Sequence, residues 1–235
     1  MTRLLISVTS ADEALLALEA GADVIDGKDV RRGALGALDP ATLRRIVAAV
    51  AGRVPVSATA GDLPADPAQL IAAVEAVAAT GVDWVKIGFY PGGDWQACLK
   101  GLAPLAKDLR LVGMLLADLT PTPERHVQAF ADAGFSGVML DTAGKAGKRL
   151  TDVLPLERIE GFVAAARAGW MSSGLAGSLT LEHVDLLAPL APAVLGFRGA
   201  ACDGGHRLSG LDASRVAALA TRLADARETA RAGTT

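Results

Sequence analysis

Short apolar or β-branched runs alternate with longer alanine-rich segments from one end of the chain to the other. The longer segments carry apolar residues at helical spacing, whereas the short runs are apolar almost without interruption. Eight such pairs can be counted, and this alternation is typical of parallel strands joined by crossover helices. The predicted strands cover residues 3–8, 23–27, 55–60, 84–89, 110–117, 137–141, 171–176 and 193–198, and the predicted helices cover residues 11–20, 40–51, 67–80, 94–106, 122–133, 156–168, 180–189 and 212–229.

The number of units predicts the fold class. Eight strand–helix pairs in 235 residues favour the α/β class and a single (β/α)8 TIM barrel, because a doubly wound sheet usually has five or six strands. No linker or low-complexity segment interrupts the pattern, so one domain is expected over residues 1–235. The polar tail from about residue 228 is expected to fray.

Composition narrows the function to small-molecule chemistry. The net charge of -3 is spread along the chain, so neither nucleic acid nor an anionic membrane is an expected partner. No apolar stretch approaches the roughly 20 residues of a membrane-spanning helix, and no signal peptide is recognised. Cys98 and Cys202 form no CxxC motif or Cys/His cluster, so we expect no disulfide, no metal site and a cytoplasmic location.

Two lysines stand where apolar strands should end. Lys28 follows the second predicted strand, and Lys86 lies within the fourth. Side chains alternate along a strand, so Asp26 shares a face with Lys28, and all three groups could meet at the barrel mouth. A second cation and partial desolvation lower a lysine pKa, which favours attack on a carbonyl and a Schiff base. The alternative is that each lysine simply extends into solvent at a strand end.

The sixth predicted strand ends in a second polar group. Asp141 could orient an amine or move a proton, and Lys145 could hold a phosphate or polarise a carbonyl. Asp-Thr is equally a common start to a polar loop.

Small residues follow the seventh and eighth predicted strands, where many barrels bind phosphate through backbone N–H groups. An arginine there would add charge-assisted hydrogen bonds. Glycine turns without a ligand are the alternative. The candidate phosphate-binding residues are Gly177, Ser178, Arg198, Gly199, Ala200 and Ala201.

Other polar residues near the predicted mouth carry weaker signals. Asp62 and Asp118 follow the third and fifth predicted strands, and we interpret both as helix caps or solvated loop residues. Cys202 has no paired base in the sequence and is interpreted as a packing residue. His206 lies in a loop that could touch a ligand.

Six blocks of sequence together resemble one known family. They are DVIDGKDVRRGALGA, PVSATAGD, DWVKIGFY, MLDTAGKAGK, LAGSL and GFRGAACDGG. In this order they resemble the (5-formylfuran-3-yl)methyl phosphate synthase family of methanofuran biosynthesis, over residues 3 to about 210. The resemblance implies a (β/α)8 barrel and a lyase that condenses two molecules of glyceraldehyde 3-phosphate into a furan aldehyde phosphate, with loss of phosphate and water. It also implies a role in one-carbon metabolism, such as methylotrophy.

The resemblance also assigns roles to residues. The Schiff-base lysine of the family matches Lys28, its proton-transferring lysine matches Lys86, and its supporting polar residues match Asp26, Asp141 and Lys145. Gly27 and the pair after Lys28, Asp29 and Val30, depart from the family pattern, which affects the loop more than the chemistry. An iminium ion is itself the electron sink, so no metal or organic cofactor is expected.

Two other functions remain open at this point. A class I aldolase of the deoxyribose-phosphate type would share the iminium and the phosphate loop, and a non-catalytic phosphate-binding barrel would keep only the fold. Two triose phosphates need a second phosphate pocket, for which Lys145 or Arg31 are the candidates. Apolar helix faces of barrels often associate, so a homo-oligomer is expected.

Overall fold

The chain folds into one closed barrel of eight parallel strands, in the order β1 to β8 with β8 beside β1. This computed structural model describes residues 1–144 and 148–232. The predicted (β/α)8 class is confirmed. The strands are β1 (Arg3–Val8), β2 (Val24–Gly27), β3 (Val56–Thr59), β4 (Trp84–Phe89), β5 (Leu111–Leu116), β6 (Gly137–Asp141), β7 (Ser172–Leu175) and β8 (Val194–Phe197).

Helices follow the strands around the outside. They are α1 (Ala11–Glu19), α2 (Pro40–Val50), α3 (Pro67–Ala78), α4 (Trp95–Leu102), α5 (Val127–Asp132), α6 (Leu150–Val153), α7 (Leu156–Ala168), α8 (His183–Leu187) and α9 (Ala213–Ala232). The short helix α6 was not predicted. In the described ranges, none of the helices combines the length and apolar character needed to cross a bilayer.

Three predicted helices are shorter than expected. A 3-10 turn, Leu105–Lys107, follows α4, a second one, Pro123–His126, precedes α5, and a third one, Ala188–Leu190, follows α8. Proline lies in or beside each of these turns, and it has no N–H for a helical hydrogen bond. At the C-terminal end of the described residues, helix α9 continues to Ala232, although the tail was expected to fray from about residue 228.

Side-chain caps begin the first three helices that leave the barrel mouth. Asp39 accepts a hydrogen bond from the N–H of Thr42, and Asp66 accepts one from Gln69; in both helices a proline follows the cap. Ser10 caps α1 through the N–H of Glu13. Each cap satisfies an N–H that the helix leaves open and so places the start of the helix beside the strand that precedes it.

The main hydrophobic core lies between the barrel and its helices. Its aromatic centre is formed by Phe89 of β4, Phe130 of α5 and Phe135, with ring centroids of Phe130 at 4.7 Å from Phe89 and 5.3 Å from Phe135 in edge-to-face geometry. Phe130 is completely buried. Aromatic pairs in this geometry add to the free energy that burial already provides.

Inside the barrel, the loop between β2 and α2 reaches over the mouth. Leu35 of this loop is fully buried and packs with Met114, Leu116 and Met139 of β5 and β6. The N–H of Leu35 donates to the carboxylate of Asp62 at 3.0 Å, which fixes the loop to the end of β3. The open part of the mouth is therefore off-centre, toward β6, β7, β8, β1 and β2.

We expect Phe130→Ala to lower the free energy of unfolding by about 3–5 kcal/mol, because it leaves a cavity in the aromatic centre. Urea unfolding followed by circular dichroism measures the change. Leu119→Ala is the matched control: Leu119 is 43% exposed, and a substitution there should cost about 0.5 kcal/mol or less. Similar losses in the two variants would contradict this account of the core.

Candidate active site

Lys86 and Asp26 form an ion pair in the barrel interior. The Nζ of Lys86 lies 2.6 Å from Oδ1 of Asp26, and Asp26 is fully shielded from water. The strand register places Ser7 and Ser57 on either side of Asp26. Their hydroxyls donate to its carboxylate at 2.9 Å and 2.7 Å. The buried carboxylate is thus held by one cation and two hydroxyl groups, which is what a buried charge requires.

Lys28 and Asp141 form a second ion pair nearer the mouth. Lys28 directly follows β2, Asp141 ends β6, and the Nζ to Oδ2 distance is 3.0 Å. The other oxygen of Asp141 accepts the N–H of Thr142 at 2.8 Å. The two ends of this pair are 113 residues apart in the chain, so only the closed barrel brings them together. Lys145, predicted to act with Asp141, lies outside the described residues.

Both pairs line the same cavity at the mouth, which has a volume of about 740 Å³. The sequence prediction that Asp26, Lys28, Lys86 and Asp141 meet at one place therefore agrees with this geometry. The cavity is large enough for a small phosphorylated ligand. Within the described ranges, no three His, Cys, Asp or Glu side chains are grouped so that they could hold a metal ion.

Burial lowers the pKa of Lys86 below the ordinary lysine value, because an ammonium is poorly solvated inside the barrel. The negative charge of Asp26 opposes this lowering of the pKa, and the positive charge of Lys28 adds to it. The negative charge of Asp141 also opposes it, to a smaller extent. The net direction is downward. Lys86 can therefore give up a proton more readily than a lysine on the surface.

The predicted phosphate loops reach the cavity in part. Gly177, Ser178, Gly199 and Ala200 line it. Gly177 and Ser178 have positive φ angles of 106° and 51°. Among the described residues, neither of their N–H groups has a hydrogen-bond partner. Ala201 is fully buried, does not line the cavity and donates its N–H to the carbonyl of Arg198.

Arg198 was predicted to bind phosphate through its side chain, but that side chain is already saturated. Its guanidinium forms two hydrogen bonds with Glu13, at 2.7 Å and 3.1 Å. The remaining donors reach the carbonyls of Ser7, Arg207 and Ser209. Arg198 thus joins the loop after β8 to β1 and α1.

Burial raises the pKa of Glu13, but the hydrogen bonds and charge of Arg198, with help from Thr9, more than offset it. The pKa of Glu13 is consequently lower than usual, and the Arg198–Glu13 pair stays charged at neutral pH. It is a structural ion pair at the edge of the site.

Two acidic residues near the mouth hold loops in place. Asp118 accepts the N–H groups of Ala143 and Gly144 at 2.8 Å and 2.7 Å, which fixes the chain after β6. Asp62 does the same for the loop after β2. Neither caps a helix, and both are exposed loop residues, so the second of the two interpretations agrees with the structure; each one also positions a loop that lines the cavity.

Sequence reasoning missed four residues of the site. Ser7 and Ser57 bind the buried carboxylate, and Arg149 and Arg207 line the cavity wall. The alternation of β1 and β3 could have placed both serines inside the barrel. Nothing in the local sequence marks the two arginines, because their positions depend on how two loops fold over the mouth.

Fold and site together define a (β/α)8-barrel protein with two buried amines and a loop suited to an anion. A family model described as 4-HFC-P synthase matches residues 4–220. The chain therefore belongs to the 4-HFC-P synthase family, and the resemblance found in the sequence is confirmed.

Curated relatives agree with this membership. The (5-formylfuran-3-yl)methyl phosphate synthase of Methanopyrus kandleri is 38% identical over 237 residues, covering 95% of this chain and 98% of the relative. That of Methanothermobacter thermautotrophicus is 36% identical over 217 residues, with coverages of 88% and 92%. A protein of Methylorubrum extorquens that carries the same name in qualified form is 47% identical over 215 residues, with coverages of 92% and 89%. These relatives are named as synthases, so the family is one of enzymes.

Solved structures share the fold alone. Phosphoribosyl anthranilate isomerase from Thermus thermophilus superposes with a TM-score of 0.67 at 19% identity, covering 95% of this chain and 99% of the isomerase. This similarity supports the barrel fold, but at 19% identity it says nothing about the substrate of this chain.

We expect two substitutions to move the pKa of Lys86 in opposite directions. Asp26→Asn removes the anion that raises it, so the pKa should fall further; Lys28→Met removes a cation that lowers it, so the pKa should rise. NMR titration of protein labelled with ¹³C at lysine Cε measures both shifts. Unchanged values, or shifts of the same sign in two folded variants, would contradict this electrostatic account.

Proposed function

We propose that this protein condenses two molecules of glyceraldehyde 3-phosphate into (5-formylfuran-3-yl)methyl phosphate for the synthesis of a methanofuran-type cofactor. The proposal rests on one observation in a member of this family. Lys28, which follows β2, and Lys86 of β4 are each paired with a carboxylate, and both line one cavity. The pairing of two amines suits carbonyl chemistry, because one can bind the substrate while the other moves protons.

In the first step, Lys28 attacks the aldehyde carbon of one triose phosphate. A C–N bond forms, water leaves, and a protonated imine results. Lys28 is the better candidate for this role because it lies nearer the mouth, at 8% exposure against 3% for Lys86. Asp141 accepts a proton from the ammonium of Lys28 before the amine attacks, returns it to the hydroxyl that leaves as water, and as a carboxylate then stabilises the positively charged imine.

In the second step, the ammonium of Lys86 first releases its proton to solvent, and the neutral amine then takes a proton from the carbon next to the imine, which gives an enamine. The lowered pKa of Lys86 supports this role, since a neutral amine is needed to accept the proton. The enamine carbon then forms a C–C bond with the aldehyde of the second triose phosphate. Loss of one phosphate, ring closure and loss of water yield the furan, and atoms balance when two triose phosphates release one phosphate and two waters.

One phosphate binds where the chain offers open N–H groups. Gly177 and Ser178 supply these, Gly199 and Ala200 form the adjacent wall, and Arg149 adds positive charge at the rim. Backbone donors beside small residues suit a phosphate because nothing blocks close approach. Arg31 does not line the cavity, and Lys145 lies outside the described residues, so the second phosphate pocket stays a prediction.

We expect Lys28→Ala and Lys86→Ala to fail at different stages. Borohydride reduction in the presence of glyceraldehyde 3-phosphate should add mass to Lys28 in the wild type and in Lys86→Ala, but not in Lys28→Ala. Turnover by Lys86→Ala should fall roughly 10²-fold or more, because the proton carrier is lost.

Lys100→Ala is the matched control, since Lys100 is an exposed lysine on α4. It should trap and turn over like the wild type. Normal turnover by Lys28→Ala, or mass on another lysine in the wild type, would overturn the assignment of the covalent amine.

The reaction itself is tested with glyceraldehyde 3-phosphate as the single substrate. An ultraviolet chromophore should grow, and mass spectrometry with NMR should identify the furan aldehyde phosphate. Retro-aldol cleavage of a deoxypentose phosphate without a furan would indicate an aldolase instead. Phosphate binding without any product would indicate a non-catalytic barrel.

A further inference from the structure

A second cavity lies inside the barrel below the active site, at the amino ends of the strands. It has a volume of about 270 Å³, enough for several water molecules. Barrel interiors of this fold are normally filled by layers of large side chains. We name this cavity the lower shaft; Arg3, Arg110, Ser136, Ser172, Gly137 and Gly174 are among the residues that line it.

The lower shaft exists because small residues occupy inward positions. Gly137 of β6 pairs with Val112 of β5, and Gly174 of β7 pairs with Val194 of β8, so each valine lies beside a residue without a side chain. Both valines are partly exposed although they lie within the barrel wall. An unfilled interior costs stability, so its presence in the barrel calls for a functional explanation.

The lower shaft is lined mainly by apolar surface, with polar side chains at its two ends, and it opens at its base. Ser172 and Arg110 at the lower rim are exposed, and the guanidinium of Arg3 lies over the ring of Trp84, 5.1 Å from the ring centroid. Serine hydroxyls along the wall can hydrogen bond to water. Water can enter from the exposed base and hydrogen bond to the polar groups at both ends, which an enclosed apolar cavity would not offer.

The upper end of the lower shaft is the active site itself. Lys86 lines both the lower shaft and the mouth cavity, and Leu5 and Met139 lie between the two spaces. Ser57, which donates to Asp26, also lines the lower shaft. Lys86 therefore lines two separate spaces.

From this arrangement we propose that the lower shaft is a water-filled proton route between Lys86 and solvent at the base of the barrel. The inference rests on the proposed role of Lys86 in the function above. When two phosphorylated substrates fill the mouth, water cannot reach Lys86 from that side. The route from below keeps proton exchange open while substrate is bound.

The proton balance is simple. Lys86 accepts a proton from the substrate carbon and becomes an ammonium. It then passes a proton to the first water of the lower shaft. Proton transfer along the water chain releases a proton to solvent at the base. The amine is neutral again. The same chain run backward supplies protons to Lys86 when a leaving group must be protonated.

Val112→Phe tests the route because the added ring fills the lower shaft, while Val112→Ala widens it. Both variants leave the residues of the mouth cavity unchanged. With glyceraldehyde 3-phosphate in D₂O, the rate at which deuterium enters the carbon next to the carbonyl is followed by NMR. We expect Val112→Phe to slow this exchange by at least roughly tenfold and Val112→Ala to match the wild type. Borohydride trapping on Lys28 should be equal in all three proteins.

Val194→Phe fills the lower shaft from the opposite wall and provides a second test if Val112→Phe does not fold. A high-resolution crystal structure of the wild type should show ordered waters between Ser172 and Lys86. A dry lower shaft, or wild-type exchange in a filled variant whose Lys28 is trapped normally, would overturn the proton route. Absence of trapping in the wild type would instead overturn the proposed function, and the inference with it.

Discussion

A carboxylate with no contact to water lies inside this barrel, and the arrangement of its first four strands depends on neutralising it. Asp26 of β2 would be very costly to bury alone. Lys86 of β4 supplies the opposite charge, and Ser7 and Ser57 of β1 and β3 supply hydrogen bonds. Four neighbouring strands thus each contribute one group to a single cluster, and a shift of register in any strand would leave a charge without its partner.

That cluster also explains why stability and chemistry meet at the same residues. The ion pair holds Lys86 in a fixed place, while burial moves its pKa downward. The second pair, between Lys28 and Asp141, joins β2 to β6 across the mouth. Sites in which burial shifts a pKa are often functional, and here the pKa of Lys86 is lowered by burial in the barrel while its contact with Asp26 opposes that shift.

Most of the lysine and carboxylate positions in the site could be predicted from the sequence, because the rules that place them act over a few neighbouring residues. Strand alternation and the position of Lys28 after β2 were enough to place Asp26, Lys28 and Lys86 at one rim, because the period of a strand is two and all parallel strands of a barrel end on the same side. Asp141 followed from the same rule. Ser10 precedes Glu13 by three residues, a spacing typical of an N-cap, and its hydroxyl accepts the N–H of Glu13.

What could not be predicted depends on contacts between distant parts of the chain. Arg198 looked like a phosphate ligand, but its partner Glu13 is 185 residues away and appears only when β8 closes against β1. Arg207 reaches the carbonyl of Val30 across 177 residues for the same reason. The empty space inside the barrel was equally hidden, because a glycine in a strand gives no sign of which neighbours leave room beside it.

The position of Leu35 has a stereochemical consequence. Its loop covers the mouth above β5 and β6, and Val30 and Ala34 of the same loop form an apolar wall beside the lysines. The opposite wall carries Gly177, Ser178 and the turn after β8. In the reaction proposed above, a flat, achiral enamine held between two such different walls would present only one of its faces to an incoming aldehyde. The bond that forms there would then have a single handedness, even though aromatisation later removes it.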